Sequence, residues 1–236
     1  GFLGSDEHNF TTTLGREGSD YTAAIIAYCL NARSVTIWKD VPGVLNADPR
    51  YFRETRLLNR ISYREAIELA FYGATVIHPK TLQPLQRKEI PLYVKSFLKP
   101  ADPGTEVGKG IAIEPKTPCF ILKKEQVLMK LSSLDFSFIV EENISEIFRL
   151  LHDFKMKVDL IQNSAISFSV CFDNRFGRLP ELLQHLKGKY RVTHKEGVSL
   201  YTVRHFDTKA INSILNGRDV LLEQRSKETV QLVIKS

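Results

Sequence analysis

Apolar positions along the 236-residue chain fall into two regimes. From Asn9 to about Thr105, short β-branched or aliphatic runs alternate with helical spacings. Ser19 or Asp20 can cap a helix over Tyr21–Leu30, and Arg33–Lys39 reads as a buried strand. Ser62, followed three residues later by Glu65, opens a helix over Tyr63–Tyr72 that Gly73 closes. Ile90–Phe97 supplies another strand. Strand, helix, strand, helix, strand predicts a parallel sheet covered by helices, an α/β domain over residues 1–105. Pro100, Pro103-Gly104, Pro115 and Pro118 then punctuate the chain, with room for a strand at Val107–Ile113. Residues 106–125 are therefore expected to be a linker.

Beyond Gln126 the period changes. Val127–Leu134 reads as a strand, and Asn143 with Glu146 starts a helix carrying Ile144, Ile147, Phe148 and Leu151 on one face. Strands at Val158–Ile161 and Ile166–Phe172 follow, then a helix with Leu179, Leu182, Leu183 and Leu186, then a strand at Tyr190–His194. This βαββαβ order over residues 126–196 is a ferredoxin-like unit. A second unit over residues 197–236 has a strand at Ser199–Arg204 and a helix with Ile211, Ile214 and Leu215, capped by Asp207 and ending at Gly217. Strands at Val220–Gln224 and Thr229–Ile234 complete it. It is abbreviated to βαββ, and its missing last helix and strand are expected to leave a sheet edge that needs a neighbour or a partner chain. The fold class is thus α/β followed by α+β.

Composition narrows the partners. With 43% hydrophobic and 25% charged residues the chain is ordinary for a globular protein. Its net charge of +6 is spread evenly, 15 basic and 13 acidic residues in 1–118 against 18 and 14 in 119–236, so it forms no stripe of the kind nucleic-acid binding requires. Cys29, Cys119 and Cys171 are widely spaced, make no CxxC pair and suggest no metal site; they fit a reducing cytoplasm. No apolar run approaches the roughly 20 residues of a membrane span. The chain opens on Gly1-Phe2-Leu3-Gly4 without Met, as if inside a domain.

Two segments could carry chemistry. Thr11–Thr22 places hydroxyls, Gly15, Gly18 and the planar fork of Arg16 at a helix N-terminus, a combination suited to holding an anion. It matches neither a Walker loop nor GxGxxG, and a plain capped helix after a polar loop also fits. Ile37–Val44 with Asp48-Pro49-Arg50 places Lys39 and Asp40 at the carboxyl end of a strand, where open α/β sheets bind ligands, although a surface turn fits as well. His78-Pro79-Lys80-Thr81 reads as structural.

TTTLGREGSDYTAA, IWKDVPGVLNADPR, ISYREAIELAFYGATVIHPKTLQP and IPLYVKSF, in this order, resemble the C-terminal half of the aspartate kinase catalytic domain, and the paired ferredoxin-like units resemble ACT regulatory domains. The resemblance implies a partial amino-acid-kinase-type three-layer domain followed by two ACT units, the second abbreviated. It implies transfer of the γ-phosphoryl group of Mg-ATP to the side-chain carboxylate of L-aspartate, in the biosynthesis of lysine, threonine and methionine, with ATP and Mg2+ as cofactors. Arg16 would hold the substrate carboxylate with Gly18 and Ser19, and Asp20 would organise the reaction centre. Lys39, Asp40, Leu45, Arg50 and Thr75 would face ATP. Glu17, Lys39, Leu45 and Thr75 stand where the family usually has Gly, Thr, an aromatic residue and Lys. An amino-acid effector, lysine first, would bind at Phe136, Ser137, Ile139, Val158, Asp159, Asn163 and Ser164, across a homodimer made through the ACT units. No Lys- and Gly-rich KFGG-like run occurs, so the chain by itself is expected to lack kinase activity. A non-catalytic amino-acid-sensing subunit is the alternative.

Overall fold

A computed structural model describes residues 2–15 and 17–235, which form two compact units meeting at residues 121 and 122. The first unit opens with an antiparallel hairpin of β1 (Leu3–Ser5) and β2 (Thr11–Thr13). Helix α1 (Gly18–Leu30) follows, then β3 (Val35–Lys39), β4 (Arg60–Ser62), α2 (Tyr63–Tyr72), α3 (Pro79–Arg87), β5 (Leu92–Ser96) and β6 (Thr105–Gly108). The sheet order is β3-β5-β6-β4. β3 and β5 are parallel, as are β4 and β6, but β5 and β6 are antiparallel. The sheet is therefore mixed, where the element order predicts a parallel one. Ser96 and Thr105 are too close in sequence for a parallel crossover, which needs about a dozen residues.

Local signals account for the helices. Ser62 Oγ accepts a 3.0 Å hydrogen bond from Glu65 N, and Gly73 closes α2 at φ 125. His78 is a cap: its Nδ1 accepts from Lys80 N at 3.1 Å, and Pro79 begins α3. Leu82 and Leu85 of α3 join Leu58, Ile61, Leu92, Val94 and Val107 in a core closed to solvent. By contrast α1 buries only Gly18, Ala24 and Ala27, while Ile25, Ile26 and Leu30 remain exposed. A helix apolar all round is built to be covered on more than one side.

Residues 106–125 do not form a linker. β6 lies between β5 and β4 with Val107 buried, because an alternating Thr-Glu-Val pattern outweighs the flanking prolines. β7 (Cys119–Ser132) starts well before the sequence pattern suggests and runs into the second unit.

That unit continues with α4 (Glu141–Asp153), β8 (Lys157–Ser164), β9 (Ser167–Asp173), α5 (Leu179–Leu186), β10 (Arg191–Arg204), α6 (Thr208–Leu215), β11 (Val220–Arg225) and β12 (Thr229–Lys235). All its strands join one sheet, ordered β11-β12-β10-β7-β9-β8. Within it, β10-β7-β9-β8 has the ferredoxin-like order. Two expectations change. The strands read at Tyr190–His194 and Ser199–Arg204 are one 14-residue strand, which passes through Gly197 at φ 66 and serves both repeats. The edge expected to be open is filled, because β10 lies between β12 and β7.

Alternation along the strands divides the core between two faces. Phe168, Val170 and Phe172 of β9 join Ile147 and Leu151 of α4 and Leu182 and Leu186 of α5 in one cluster. Cys171, pointing the other way, packs with Leu160, Val198, Leu200 and Val233. Asp207 Oδ1 accepts from Ala210 N at 2.7 Å and caps α6 as its sequence predicts. No helix among the described residues is long and apolar enough to cross a membrane.

Candidate functional site

In the first unit, the chain between the β1–β2 hairpin and α1 is drawn tight. A Cβ on Gly18 would lie 2.6 Å from Phe2 Cβ and 3.0 Å from Leu14 Cβ, so only glycine lets the hairpin approach the helix start. Arg16, expected to hold the substrate carboxylate, lies outside the described residues. Glu17 sits at φ 56, a conformation that favours glycine, and its Oε2 is buried without a hydrogen-bond partner. Ser19 is exposed on the first turn. Thr22 Oγ1 donates back to Gly18 O at 2.9 Å.

Asp20 and Lys39, the two charged groups that different segments bring together here, form an ion pair: Lys39 Nζ is 2.8 Å from Asp20 Oδ2, with both side chains largely buried. α1 supplies the carboxylate in its first turn, and β3 supplies the ammonium at its carboxyl end, the sheet edge where α/β ligands sit. Asp40 is exposed immediately after β3. Trp38 and Lys95, which sequence reasoning passed over, stack at the same strand ends, with the ammonium 5.6 Å from the ring centroid.

The loop that follows is pinned by residues the sequence did not single out. Thr105 Oγ1 accepts from Val44 N at 2.8 Å and donates to Leu58 O at 2.6 Å. Asn46 accepts from Arg56 N at 2.7 Å and donates to Pro118 O at 2.8 Å. Arg50, expected at the nucleotide, instead folds onto Asp48, with Nη2 to Oδ2 at 2.6 Å. Two residues of separation make that closure nearly unavoidable, and the guanidinium holds the Asp48 carboxyl below its usual range. Leu45 is half-buried and bridges to Leu57, and Thr75 is exposed between α2 and α3. Among the described residues no hydrogen bond or ion pair joins Leu45, Arg50 or Thr75 to Asp20 or Lys39.

No cluster of three or more acidic, His or Cys side chains stands ready to cage a metal among the described residues.

In the second unit, the seven expected effector contacts separate into different roles. Phe136 is 80% exposed at φ 63. Ser137 N donates to Asp135 Oδ1 at 3.1 Å, and hydrogen bonds from Ser137 hold the Asp135 carboxyl below its ordinary value. Ile139 is a core residue whose N donates to Ala165 O at 2.9 Å. Val158 packs against the helix-side core. Asp159, expected to meet an effector ammonium, already holds one: Lys123 Nζ lies 2.6 Å from its Oδ1, and its side chain is 6% exposed. Burial pushes the Cys171 thiol up to about 12, and the Asp159 charge adds to the shift. Asn163 is exposed on β8, and Ser164 Oγ is 2.7 Å from Ser167 Oγ at the β8–β9 turn. Ser137 and Ile139 line an open cavity of about 400 Å3 beside the β7–α4 loop; the other five residues do not.

With this geometry in hand, comparison with known proteins defines the class. Residues 1–96 match the amino acid kinase family. Over 207 residues, 85% of its length, the chain is 37% identical to lysine-sensitive aspartokinase 3 of Escherichia coli, covering 46% of that protein. It is 35% identical over 182 residues to a chloroplastic bifunctional aspartokinase/homoserine dehydrogenase 2 of Arabidopsis thaliana, covering 73% of this chain and 19% of that one. The crystal structure of E. coli aspartokinase III in complex with lysine and aspartate superposes with a TM-score of 0.79 at 33% identity, covering 99% of this chain and 55% of that one. The chain is a homologue of the aspartokinases, corresponding to part of their kinase domain followed by their regulatory region. It spans less than half the length of the first curated relative it matches.

Proposed function

We propose that this chain is the C-terminal part of an aspartate kinase, an ATP:L-aspartate 4-phosphotransferase working in the cytoplasm under feedback by an amino acid, lysine. The observation that carries this reading is the 37% identity to a lysine-sensitive aspartokinase, which extends over 207 residues and so runs through both units. In the reaction a side-chain oxygen of aspartate attacks the γ-phosphorus of ATP. The bond to the β,γ-bridging oxygen breaks, and ADP departs with its electron pair, leaving 4-phospho-L-aspartate. Two anions must meet, so positioning and charge neutralisation supply most of the rate.

Arg16 and the amides at Gly18 and Ser19 would receive the substrate carboxylate at the positive end of α1. Lys39 would contact phosphate once nucleotide competes for its ammonium, and Asp20, thereby freed, would orient the metal-bearing nucleotide. Lys39 and Asp20 would hold the nucleotide with its Mg2+, which would supply charge neutralisation at the phosphates. A second copy would pair along β8, an edge strand of the second unit's sheet.

ADP release with aspartate and Mg-ATP tests this reading. The chain alone should show no turnover, and a chimera joining it to the N-terminal half of the E. coli enzyme should phosphorylate aspartate. In that chimera Asp20→Asn should lower kcat by about 100-fold or more. A folded chimera that binds ATP but never phosphorylates aspartate would refute the proposal.

A further inference from the structure

Asn216 and Gly217, the single Asn-Gly pair in the sequence, stand just past the end of α6. Asparagine followed by glycine is the pair most prone to lose its side-chain amide, because no Cβ hinders the following backbone nitrogen as it closes on the side-chain carbonyl. Both residues are exposed. A Cβ at Gly217, where φ is 77, would meet nothing within 4 Å, so the backbone has open space in which to turn. The Gly217 nitrogen donates no hydrogen bond among the described residues, while Asn216 N donates to Asn212 O at 3.2 Å and ties the pair to the helix.

Other asparagines lack this combination. Asn31 ends α1 at φ 50, as Asn216 ends α6 at φ 23, but Ala32 follows it, and Ala32 N is committed to Ala27 O at 3.0 Å. Asn163 is exposed too, yet it and Ser164 are fixed in the β8–β9 ladder opposite Phe168 and Ser167. Asn212 and Ser213 lie inside α6.

We propose that, whatever reaction the first unit supports, Asn216 is a site of spontaneous deamidation and that the change redirects Arg218. The Gly217 nitrogen attacks Asn216 Cγ; the Cγ–Nδ2 bond breaks, and ammonia departs with the proton that the Gly217 nitrogen gives up. Water then opens the resulting succinimide at either carbonyl, leaving aspartate or isoaspartate. Either product places a carboxylate at the negative pole of α6, where a helix disfavours it. Before the reaction, Arg218 Nη1 donates to the Tyr201 hydroxyl at 2.7 Å, with the guanidinium carbon 5.5 Å from the ring centroid. Elsewhere in this chain both Asp48 and Asp173 hold an arginine two residues on, Arg50 and Arg175. A carboxylate at position 216 stands in the same relation to Arg218 and draws it from Tyr201.

Peptide mapping of the 236-residue chain held at mildly alkaline pH tests the site. Tryptic peptide 210–218 contains both Asn212 and Asn216 and should gain the mass of one deamidation, localised to position 216 by fragmentation, with isoaspartate detectable by enzymatic methylation. Conversion at Asn216 should outpace that at Asn212 or Asn163 by at least about tenfold, and Gly217→Ala should slow it by a similar factor. Alanine is strained at φ 77, so Asn216→Gln, which leaves Gly217 in place, is the second variant and should abolish the mass gain. Asn216→Asp should lower Tm by about 1–4 °C. Tyr201→Phe should lower the Tm of the parent chain by more than that of Asn216→Asp. Equal conversion at Asn216, Asn212 and Asn163, or a mass gain that persists in Asn216→Gln, overturns the site. Tyr201→Phe costing the same in both backgrounds overturns the redirection of Arg218.

Discussion

In the first unit, large apolar side chains reach solvent from regular elements as well as loops: Ile25 and Ile26 from the middle of α1, Trp38 from the end of β3 and Phe71 from the last turn of α2. In the second unit they reach it mainly from a loop and a sheet edge, Leu134, Phe136 and Phe138 before α4 and Ile161 on β8, with Phe148 of α4 the marginal exception. The difference reflects how each element is patterned. α4, α5 and α6 have one apolar face each and bury it, with Ile147, Leu182 and Ile211 inside. α1 has no polar face of comparable breadth. An uncovered element face calls for a missing layer, whereas an uncovered loop and edge call only for a rim contact. This is the pattern expected when a chain covers 46% of its relative and the shared stretch reaches from part of one domain into the next.

Separating the units should produce the largest effect. Residues 122–236 alone should melt cooperatively, and residues 1–121 alone should bind a hydrophobic dye such as ANS and self-associate. A monomeric, cooperatively melting 1–121 would erase the distinction.

Core truncations come next. Leu82→Ala in the first unit and Leu182→Ala in the second should each cost about 2–5 kcal/mol, with hydrogen exchange showing the loss in the unit that carries the substitution. Loss spread evenly over both units would mean that they unfold as one.

Alkaline pH sharpens the comparison, because each unit hides one group from ionisation. Burial pushes the Tyr63 phenol up to about 12, and its hydroxyl donates to Ile90 O at 2.6 Å. The Cys171 thiol is likewise raised to about 12. A raised folded value means the contribution is complete below the unfolded pKa and is lost as pH climbs toward the folded one. The second unit should therefore begin to weaken above about pH 8.5–9 and the first above about pH 10. Cys171→Ala and Tyr63→Phe should each flatten the pH dependence of urea unfolding in their own unit.

The smallest effects should come from the caps. Ser62→Ala and Asp207→Ala should each cost about 1 kcal/mol in thermal or urea melts, since each removes one acceptor from a helix start.

Those caps were also the most legible features. Ser62, Glu65 and Gly73 bound α2 to the residue, and Asp207 begins α6, because their chemistry is local. What was hidden depended on partners distant in sequence or on residues with two meanings. No helix is read from the sequence at α3, where Pro79 begins the first turn and Pro84 is accommodated in a helix held by Leu82 and Leu85. Gly197 falls in the gap between the strands read at Tyr190–His194 and Ser199–Arg204, yet β10 continues through it. The exposed β1–β2 hairpin buries none of its strand residues, so no apolar alternation could announce it. At the candidate sites, Lys39 and Asp20 were both visible, but nothing in their spacing revealed the ion pair. Lys123 meets Asp159 across 36 positions, and Ser133 with Lys189 becomes a pair of cavity walls only once β7 and β10 are neighbours in the sheet.

The continuity of β10 bears on how such a chain can change over generations. Two repeats joined by a flexible tether could be exchanged separately between related genes. Here a crossover near residue 197 would splice two strangers within a single strand, where a one-residue slip turns every following side chain to the opposite face. An exchange that kept the sheet intact would therefore have to carry both repeats together.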